Sequence, residues 1–447
     1  MKRLVAVFLS ILIILSVFVG CSNDNDKKEG NTSPSDDNAK KEDNVTLTYL
    51  TLGGDWENML PDIIEQYEKE NENVQVKLEA YPFDQLFEVI EVKMGSGTKD
   101  FDVLAVDAPL VAAYTYRGYL EPLDEYFSED DKDVRIPSSI EAGTVDGKFM
   151  AAPMNTSSQL MFYNKTLLKE AGVSLPSEDP EKRMTWEEVV EASQTVMEEL
   201  DPDGSNGIWG LMFEQVSRPY QILALPNSLG GAGVGDDGIT VDGIVNSPEW
   251  VEACKFYSDI FNTWKISPKG TKPSESQQRF TSGKVAFYVG GTWGTPVYEE
   301  TENLEYGYAP HPYFKDGKAA TPTGSWHFGV NSESDHKKEA AEFVRYMSTG
   351  KGNDLWIEAN HDLPSKKPLL EAIMEDEAYD TFPESSYKIA AYEAMNTAVP
   401  RPITSGYREW ETIIGATLED IRNGEDPETA LNDAVEQLDS ALAKYKK

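Results

Sequence analysis

Apolar and polar residues alternate with two periods along this chain, and each change of period marks an element. VTLTYLTL (Val45 to Leu52) and VQVKLEAY (Val74 to Tyr81) place apolar residues at every second position, as half-buried strands do. Between them Trp56, Met59, Leu60, Ile63, Ile64 and Tyr67 recur at helical spacing after Asp55, which reads as an N-cap. FDVLAVDA (Phe101 to Ala108) reads as a third strand, after a helix that ends in the turn MGSGTKD. This alternation predicts an α/β fold with a mostly parallel sheet and covering helices. Open sheets of that kind gather ligands beyond the carboxyl ends of their strands, where this chain carries Asp107.

The alternation continues less regularly. KFMAAPM and LMFYNK read as strand-like segments around Pro153, TWEEVVEASQTVMEEL as a helix capped by Thr185, and KVAFYVGGTW (Lys284 to Trp293) as a buried strand entering a glycine turn that opens a second lobe. EAAEFVRYMST and a final amphipathic helix, with Leu431, Val435, Leu438, Leu442 and Tyr445 on one face, complete the body. No tandem repeat is present.

The first residues follow a different pattern. Lys2 and Arg3 precede an apolar run from Leu4 to Val19, then Gly20 and Cys21, the order expected of a signal peptide over residues 1–20 with lipid attachment at Cys21. The run is about 16 residues, short of the roughly 20 needed to span a bilayer. Bacterial lipoprotein signals usually carry Leu three places before the cysteine, where this chain has Phe18. Ser22 to Asn44 lack any aromatic or branched apolar residue, so residues 21–44 are expected to be a lipidated flexible tether.

Charge narrows the partners. Forty Lys and Arg against 78 Asp and Glu give a net −38 over 447 residues. So acidic a balance excludes the basic footprint of a nucleic-acid binder and suits an exposed, soluble surface. Cys254 is the only cysteine besides Cys21 and reads as a small buried hydrophobe.

Five stretches carry a resemblance: FDVLAVDAPLVAAYTYRGYLEPLDEYF, VDGKFMAAPMNTSSQLMFYNKTLLKEAGV, MTWEEVVEAS, FTSGKVAFYVGGTW and GSWHFGVNSESDHKKEAAEFVRYM. In this order they resemble the family 1 extracellular solute-binding proteins, carbohydrate-binding proteins of ABC importers that include maltose-binding protein. The resemblance implies a two-lobed periplasmic-binding-protein-like fold (type II) with the ligand cleft between lobes joined by hinge crossings. On this sequence it puts crossings near Pro153 to Ser158, Tyr308 to Pro312 and Leu363 to Lys367. The lobes would be 45–154 plus 312–364 and 155–310 plus 365–447. It also implies capture of an extracellular sugar, delivery to the transmembrane subunits of a permease, and no catalysis.

Sugar recognition needs flat aromatic faces for the apolar side of a pyranose and polar groups for its hydroxyls, because an unpaired buried hydroxyl costs about 1–3 kcal/mol. Trp293, after two glycines, stands where the resemblance implies a stacking tryptophan; Tyr407 or Trp410, in RPITSGYREW, would be the late aromatic. Asp107 at a strand end, Trp56 at the first strand-to-helix loop, and Trp326 and His327 in the GSWH turn are further candidates. Asn155 and Ser157 flank the first crossing, and Glu214 in LMFEQ falls where the second lobe contributes contacts. Trp186, Trp250, Trp264 and Trp356 lie on helical patterns and read as core.

Enzyme signatures do not assemble. The four histidines show no HExxH, and no GxSxG, P-loop or GxGxxG stands between a strand and a helix. DPDGSNG (Asp201 to Gly207) opens like a calcium loop but has Met212 where the bidentate Glu belongs, so a glycine turn is expected. No cofactor and no metal are expected. The expected partners are a carbohydrate, permease subunits and the membrane through Cys21, with no nucleic acid, and the chain is expected to be a monomer on the outer face of the cell membrane. A lipid-anchored carbohydrate-active enzyme or glycan adhesin is the alternative. An anionic cargo would need a positive pocket, for which Arg218, Arg401 and Arg408 are available.

Overall fold

The computed structural model describes residues 44–214, 218–360 and 362–446; the expected signal peptide, Cys21 and all of the tether but Asn44 lie outside them. Val45–Leu52 (β1) and Val74–Tyr81 (β2) form over the ranges that the alternation predicts and pair in parallel. Asp55–Glu70 (α1) joins them and buries Trp56, Leu60, Ile63, Ile64 and Tyr67. The N-cap is Gly54 and not Asp55: the chain turns there with φ 74°, a left-handed conformation that glycine adopts without strain, and Asp55 becomes the first helical residue. Phe83–Gly95 (α2) leads to Val103–Asp107 (β3), which pairs in parallel with β1.

The first sheet keeps the expected parallel set β2, β1 and β3 and becomes mixed beyond it. Its order is β2-β1-β3-β10-β4, where Trp326–Val330 (β10) and Ala152–Pro153 (β4) run antiparallel to their neighbours. β10 arrives from the second lobe, so no right-handed helical crossover sets its direction; β4, the last strand before the chain leaves the first lobe, pairs with β10 alone. The second sheet has the order β8-β5-β7-β6, built from Tyr306–Ala309 (β8), Gln159–Asn164 (β5), Val285–Gly291 (β7) and Trp209–Phe213 (β6). Every residue of β5 and β7 is buried, which is why these strands read as continuous apolar runs. Trp186–Leu200 (α3) covers β6 and starts at a capping box between Thr185 and Glu188. Pro248–Asn262 (α4), which buries Cys254, packs on Tyr407–Asn423 (α9), and Pro427–Leu442 (α10) follows on α9. Trp186, Trp250 and Trp356 are fully buried, as their helical spacing predicts.

The chain passes between the sheets at residues 154–158, between β4 and β5. The return falls later than the expected Tyr308 to Pro312. Tyr308 belongs to β8, and residues 310–320 stay with the second sheet's helices: the Tyr313 carbonyl accepts from the Trp186 N–H at 2.8 Å, and Phe314 meets Phe256 edge-on at 4.9 Å. The crossing strand is Thr321–Thr323 (β9), paired in parallel with Ala398–Pro400 (β11). The third passage lies near Leu363, bridged to Thr156 in the first.

Asn155 and Asp362 stitch the first and third passages together. The Asn155 amide donates to Asp362 Oδ2 at 2.5 Å, and Asn360 and the Trp356 indole donate to the same oxygen at 2.6 and 3.2 Å. Burial pushes the Asp362 carboxyl up to about 6, against these three donors. The folded chain therefore holds this proton more tightly than the unfolded chain. Its contribution to stability is full below the ordinary carboxylate range and is lost as pH rises through about 6. Asp362→Asn keeps an acceptor for the donors and cannot titrate. We expect wild type to lose up to about 3 kcal/mol relative to this variant between pH 4 and 7, about 1.4 kcal/mol per pKa unit. Parallel denaturation curves across that range would refute this attribution.

Candidate functional site

In the first lobe β3 ends at Asp107, and β10 begins directly opposite it with Trp326. Trp326 lies parallel to Phe87 of α2, centroids 6.1 Å apart, and meets Trp56 edge-on at 5.5 Å; Trp56 in turn meets Trp356 at 4.8 Å. Trp56 is thus nearly buried beneath Trp326. Phe83, on the same face of α2, is 42% exposed. Phe87, one turn after Phe83, is missing from the sequence candidates, although its i, i+4 spacing signals a shared face.

In the second lobe the carboxyl ends of β6 and β7 stand side by side, Phe213 opposite Val289. Glu214 follows the first and Trp293 the second. The Trp293 indole N–H donates to Glu214 Oε1 at 2.8 Å, while the backbone N–H of Gly291 and the Gln221 amide donate to Oε2, each at 3.1 Å. Burial pushes the Glu214 carboxyl up to about 7 against these donors. Trp293 remains 42% exposed. Its ring lies on Gly291, where a Cβ would come within 2.1–2.2 Å of three ring carbons, so a glycine is required there. Tyr220 lies parallel to the indole at 6.3 Å, with its hydroxyl 3.0 Å from Ser157 Oγ.

Charged groups link the two aromatic sets. Arg401, just past β11, lies 4.5 Å from the Tyr220 ring and pairs through both terminal nitrogens with Asp107. Burial works against its charge, but Asp107, with Tyr407 and Tyr220, holds the guanidinium protonated above its ordinary range. Arg218 lies 3.6 Å from Asp107, donates twice to Glu411 Oε1 at 2.8 and 3.0 Å, and stands 5.6 Å from the Phe83 ring. Asp107, Arg218, Glu411, Phe83 and Tyr407 border a cavity of about 410 Å³. Arg408 borders it too, exposed and 5.6 Å from the Phe87 ring.

The other sequence candidates sit differently. His327 is buried in β10 with Nε2 2.9 Å from the Ser139 carbonyl; burial pushes it down to about 4, so it is a neutral core residue. Trp410 is buried, donates to the Gly233 carbonyl at 2.8 Å and packs on Trp250. Of the late aromatic pair, Tyr407 is the one that reaches the cavity. Asn155 accepts from Ser325 Oγ and the Trp326 N–H, and belongs to the crossing. Asp201 caps its own turn through the Asn206 and Ile208 N–H groups, as a glycine turn requires. Among the described residues no cluster of three His, Cys, Asp or Glu could hold a metal ion.

A larger crevice, about 1090 Å³, lies between Ala112–Tyr116 and the loop 230–239, with Arg401 on its wall. Five glycines, Gly230, Gly231, Gly233, Gly235 and Gly238, line its second-lobe side beside Asp236, Asp237 and Lys318, and its tyrosines Tyr116 and Tyr445 pack on each other at 4.9 Å. The smaller cavity combines the end of β3, the exposed face of Phe83 and charged hydrogen-bonding groups, the composition of a ligand site.

Residues 53–354 match the family model for bacterial extracellular solute-binding proteins. Similar proteins include a galactooligosaccharide-binding protein of Bacillus subtilis, 26% identical with 85% of each chain covered, and a maltodextrin-binding protein of the same organism, 26% identical over 92% of this chain and 94% of that one. Similar solved structures include an ABC substrate-binding protein from Listeria monocytogenes in complex with cycloalternan (TM-score 0.75, 22% identity, 90% of this chain and all of that one). A cyclo/maltodextrin-binding protein complexed with maltotetraose is also similar (TM-score 0.74, 21% identity, 92% and 100% covered). At these identities the structures share the two-lobed type II fold. With two mixed sheets joined by crossing segments and a match over two thirds of its length, the chain belongs to the bacterial extracellular solute-binding protein family.

Proposed function

We propose that this protein is the substrate-binding lipoprotein of an ABC importer. It captures an extracellular sugar or oligosaccharide between its lobes and hands it to the transmembrane permease, without catalysis. The observation that carries this reading is the combination of two exposed aromatic faces, Trp293 and Phe83, with the charged groups Asp107, Arg218 and Glu411 between them. An aromatic face covers the apolar side of a pyranose, and the charged groups meet its hydroxyls. The Bacillus subtilis relatives named for galactooligosaccharide and maltodextrin support an oligosaccharide cargo. Of the two arginines that border the cavity, Arg218 is committed to Glu411 and Asp107, and the neighbouring Arg401 is committed to Asp107, which favours a neutral cargo over an anion. A diacylglyceryl group on Cys21 would hold the monomer near its permease and raise the local concentration of receptor there.

A thermal-shift panel of glucose, maltose, maltotriose, maltotetraose and galactooligosaccharides tests this reading. A ligand at 100 times its Kd adds about 2.7 kcal/mol of stability, so at least one member should raise the melting temperature by several degrees. No rise with any carbohydrate would defeat it, as would release of new reducing ends by the purified protein.

A further inference from the structure

We propose that Glu214 is a positioning residue for Trp293: its carboxylate holds the indole in the plane that receives the ligand, and does not itself touch the ligand. The inference rests on the carbohydrate-binding reading and assigns one residue a different part in it.

Glu214 is pinned at every polar atom. Its backbone N–H donates to the Val289 carbonyl at 2.9 Å, and its own carbonyl accepts from Ser276 Oγ at 2.6 Å. The carboxylate, fixed at the end of β6, then meets three donors: the Trp293 indole N–H, the Gly291 N–H and the Gln221 amide. Among the described residues it forms no ion pair. A carboxylate that faces only N–H donors acts as an acceptor clamp, and a group clamped in this way has little capacity left for sugar hydroxyls.

Trp293 needs such a clamp. It follows β7 in a single 3₁₀ turn, Thr292–Gly294, and nearly half of its surface faces solvent, so packing alone leaves it free to change rotamer. Gly291 supports one side of the ring and Tyr220 lies parallel to it, but neither fixes rotation within the ring plane. The N–H bond to Glu214 does. Holding the indole in its binding geometry before the ligand arrives removes an ordering cost that binding would otherwise carry.

The clamp requires acceptors at both oxygens. A proton on either oxygen turns one acceptor into a donor that faces another donor. The same holds for Gln at this position: wherever its NH2 group points, it meets the indole N–H or the Gly291 N–H. Burial raises the Glu214 carboxyl to about 7, so the clamp loosens as pH falls below neutrality. The other titratable groups that face it are the buried phenols of Tyr288 and Tyr298, both raised well above the ordinary tyrosine range and neutral throughout. Ser276 Oγ bridges toward Tyr288 at 3.3 Å.

The experiment follows the Trp293 indole N–H by NMR in the unliganded wild-type protein, the resonance being identified by its loss in Trp293→Phe. We expect it to titrate with a midpoint near 7 and to lose that titration in Glu214→Gln. In parallel, affinity for whichever carbohydrate scores in the thermal-shift panel should fall tenfold to a hundredfold in Glu214→Gln, and should fall in wild type on acidification from pH 8 to 6. An indole resonance that does not move between pH 5.5 and 8.5 overturns the inference, as does wild-type affinity in Glu214→Gln. The wild-type titration needs no ligand, and Trp293→Phe serves only to identify the resonance, so absence of carbohydrate binding defeats the proposed function alone, and a static indole defeats this inference alone.

Discussion

Trp293→Ala is expected to abolish the rise in melting temperature that a carbohydrate ligand produces, while the unliganded melting point moves by no more than about 2 °C. Trp293 is 42% exposed and its one polar bond reaches a carboxylate at the cleft, so truncation opens no sealed cavity. The loss falls on binding. A sugar face covering about 100 Å² of indole is worth about 2.5 kcal/mol at roughly 25 cal/mol per Å², and stacking adds about 1 kcal/mol. Together these correspond to a hundredfold to thousandfold loss of affinity, readable by calorimetry against the oligosaccharide that scores best. A large drop in the unliganded melting point with affinity intact would instead place Trp293 among the core tryptophans with Trp186 and Trp250.

Asp107→Ala should produce the largest stability change of any single substitution at the site. Asp107 neutralises Arg401, whose side chain is only 3% exposed, and stands 3.6 Å from Arg218. Without the carboxylate, a buried guanidinium loses its counter-ion and faces a second cation. Breaking such a pair from one side costs about 3–5 kcal/mol, against 0–1 kcal/mol for an exposed pair such as Lys69 with Glu65. Urea denaturation should show the midpoint falling with its slope unchanged. The double substitution Asp107→Leu with Arg401→Met should recover most of the loss, since apolar replacement of both partners is often near neutral. If Asp107→Ala costs less than 1 kcal/mol while removing ligand binding, then Asp107 serves the ligand first and the fold second.

These two residues also mark what could be read from the chain. A carboxylate at the end of a buried strand has little local reason to be there, and that signal led to Asp107; two glycines before a tryptophan led to Trp293. The partners of Asp107 gave no local signal: Arg401 is 294 residues away in sequence and meets it only because β11 runs beside the crossing strand β9. Trp410 and His327 show the converse difficulty. Each occupies a motif position or turn that suggests a cleft, yet Trp410 points into the helix pair α4 and α9, and His327 falls on the inward side of β10, one residue from the partly exposed Trp326. A shift of one position along a strand reverses the face, and spacing alone cannot say which side of a strand starting in a turn looks outward. The elements themselves were more legible, since β1, β2 and the helix capped at Thr185 follow from period and capping chemistry. The direction of β10 was not, because it depends on which lobe the chain has come from.

The contact between Gly291 and the Trp293 ring bears on how this receptor could diversify. A side chain at position 291 would strike the ring, so a substitution there displaces the indole from its present plane. The first-lobe side carries no such constraint, since Phe83 is exposed there. Lineages that take new cargo would therefore drift first on the Phe83 side, keeping one inherited surface for sugars in general and one adjustable surface for the particular sugar at hand.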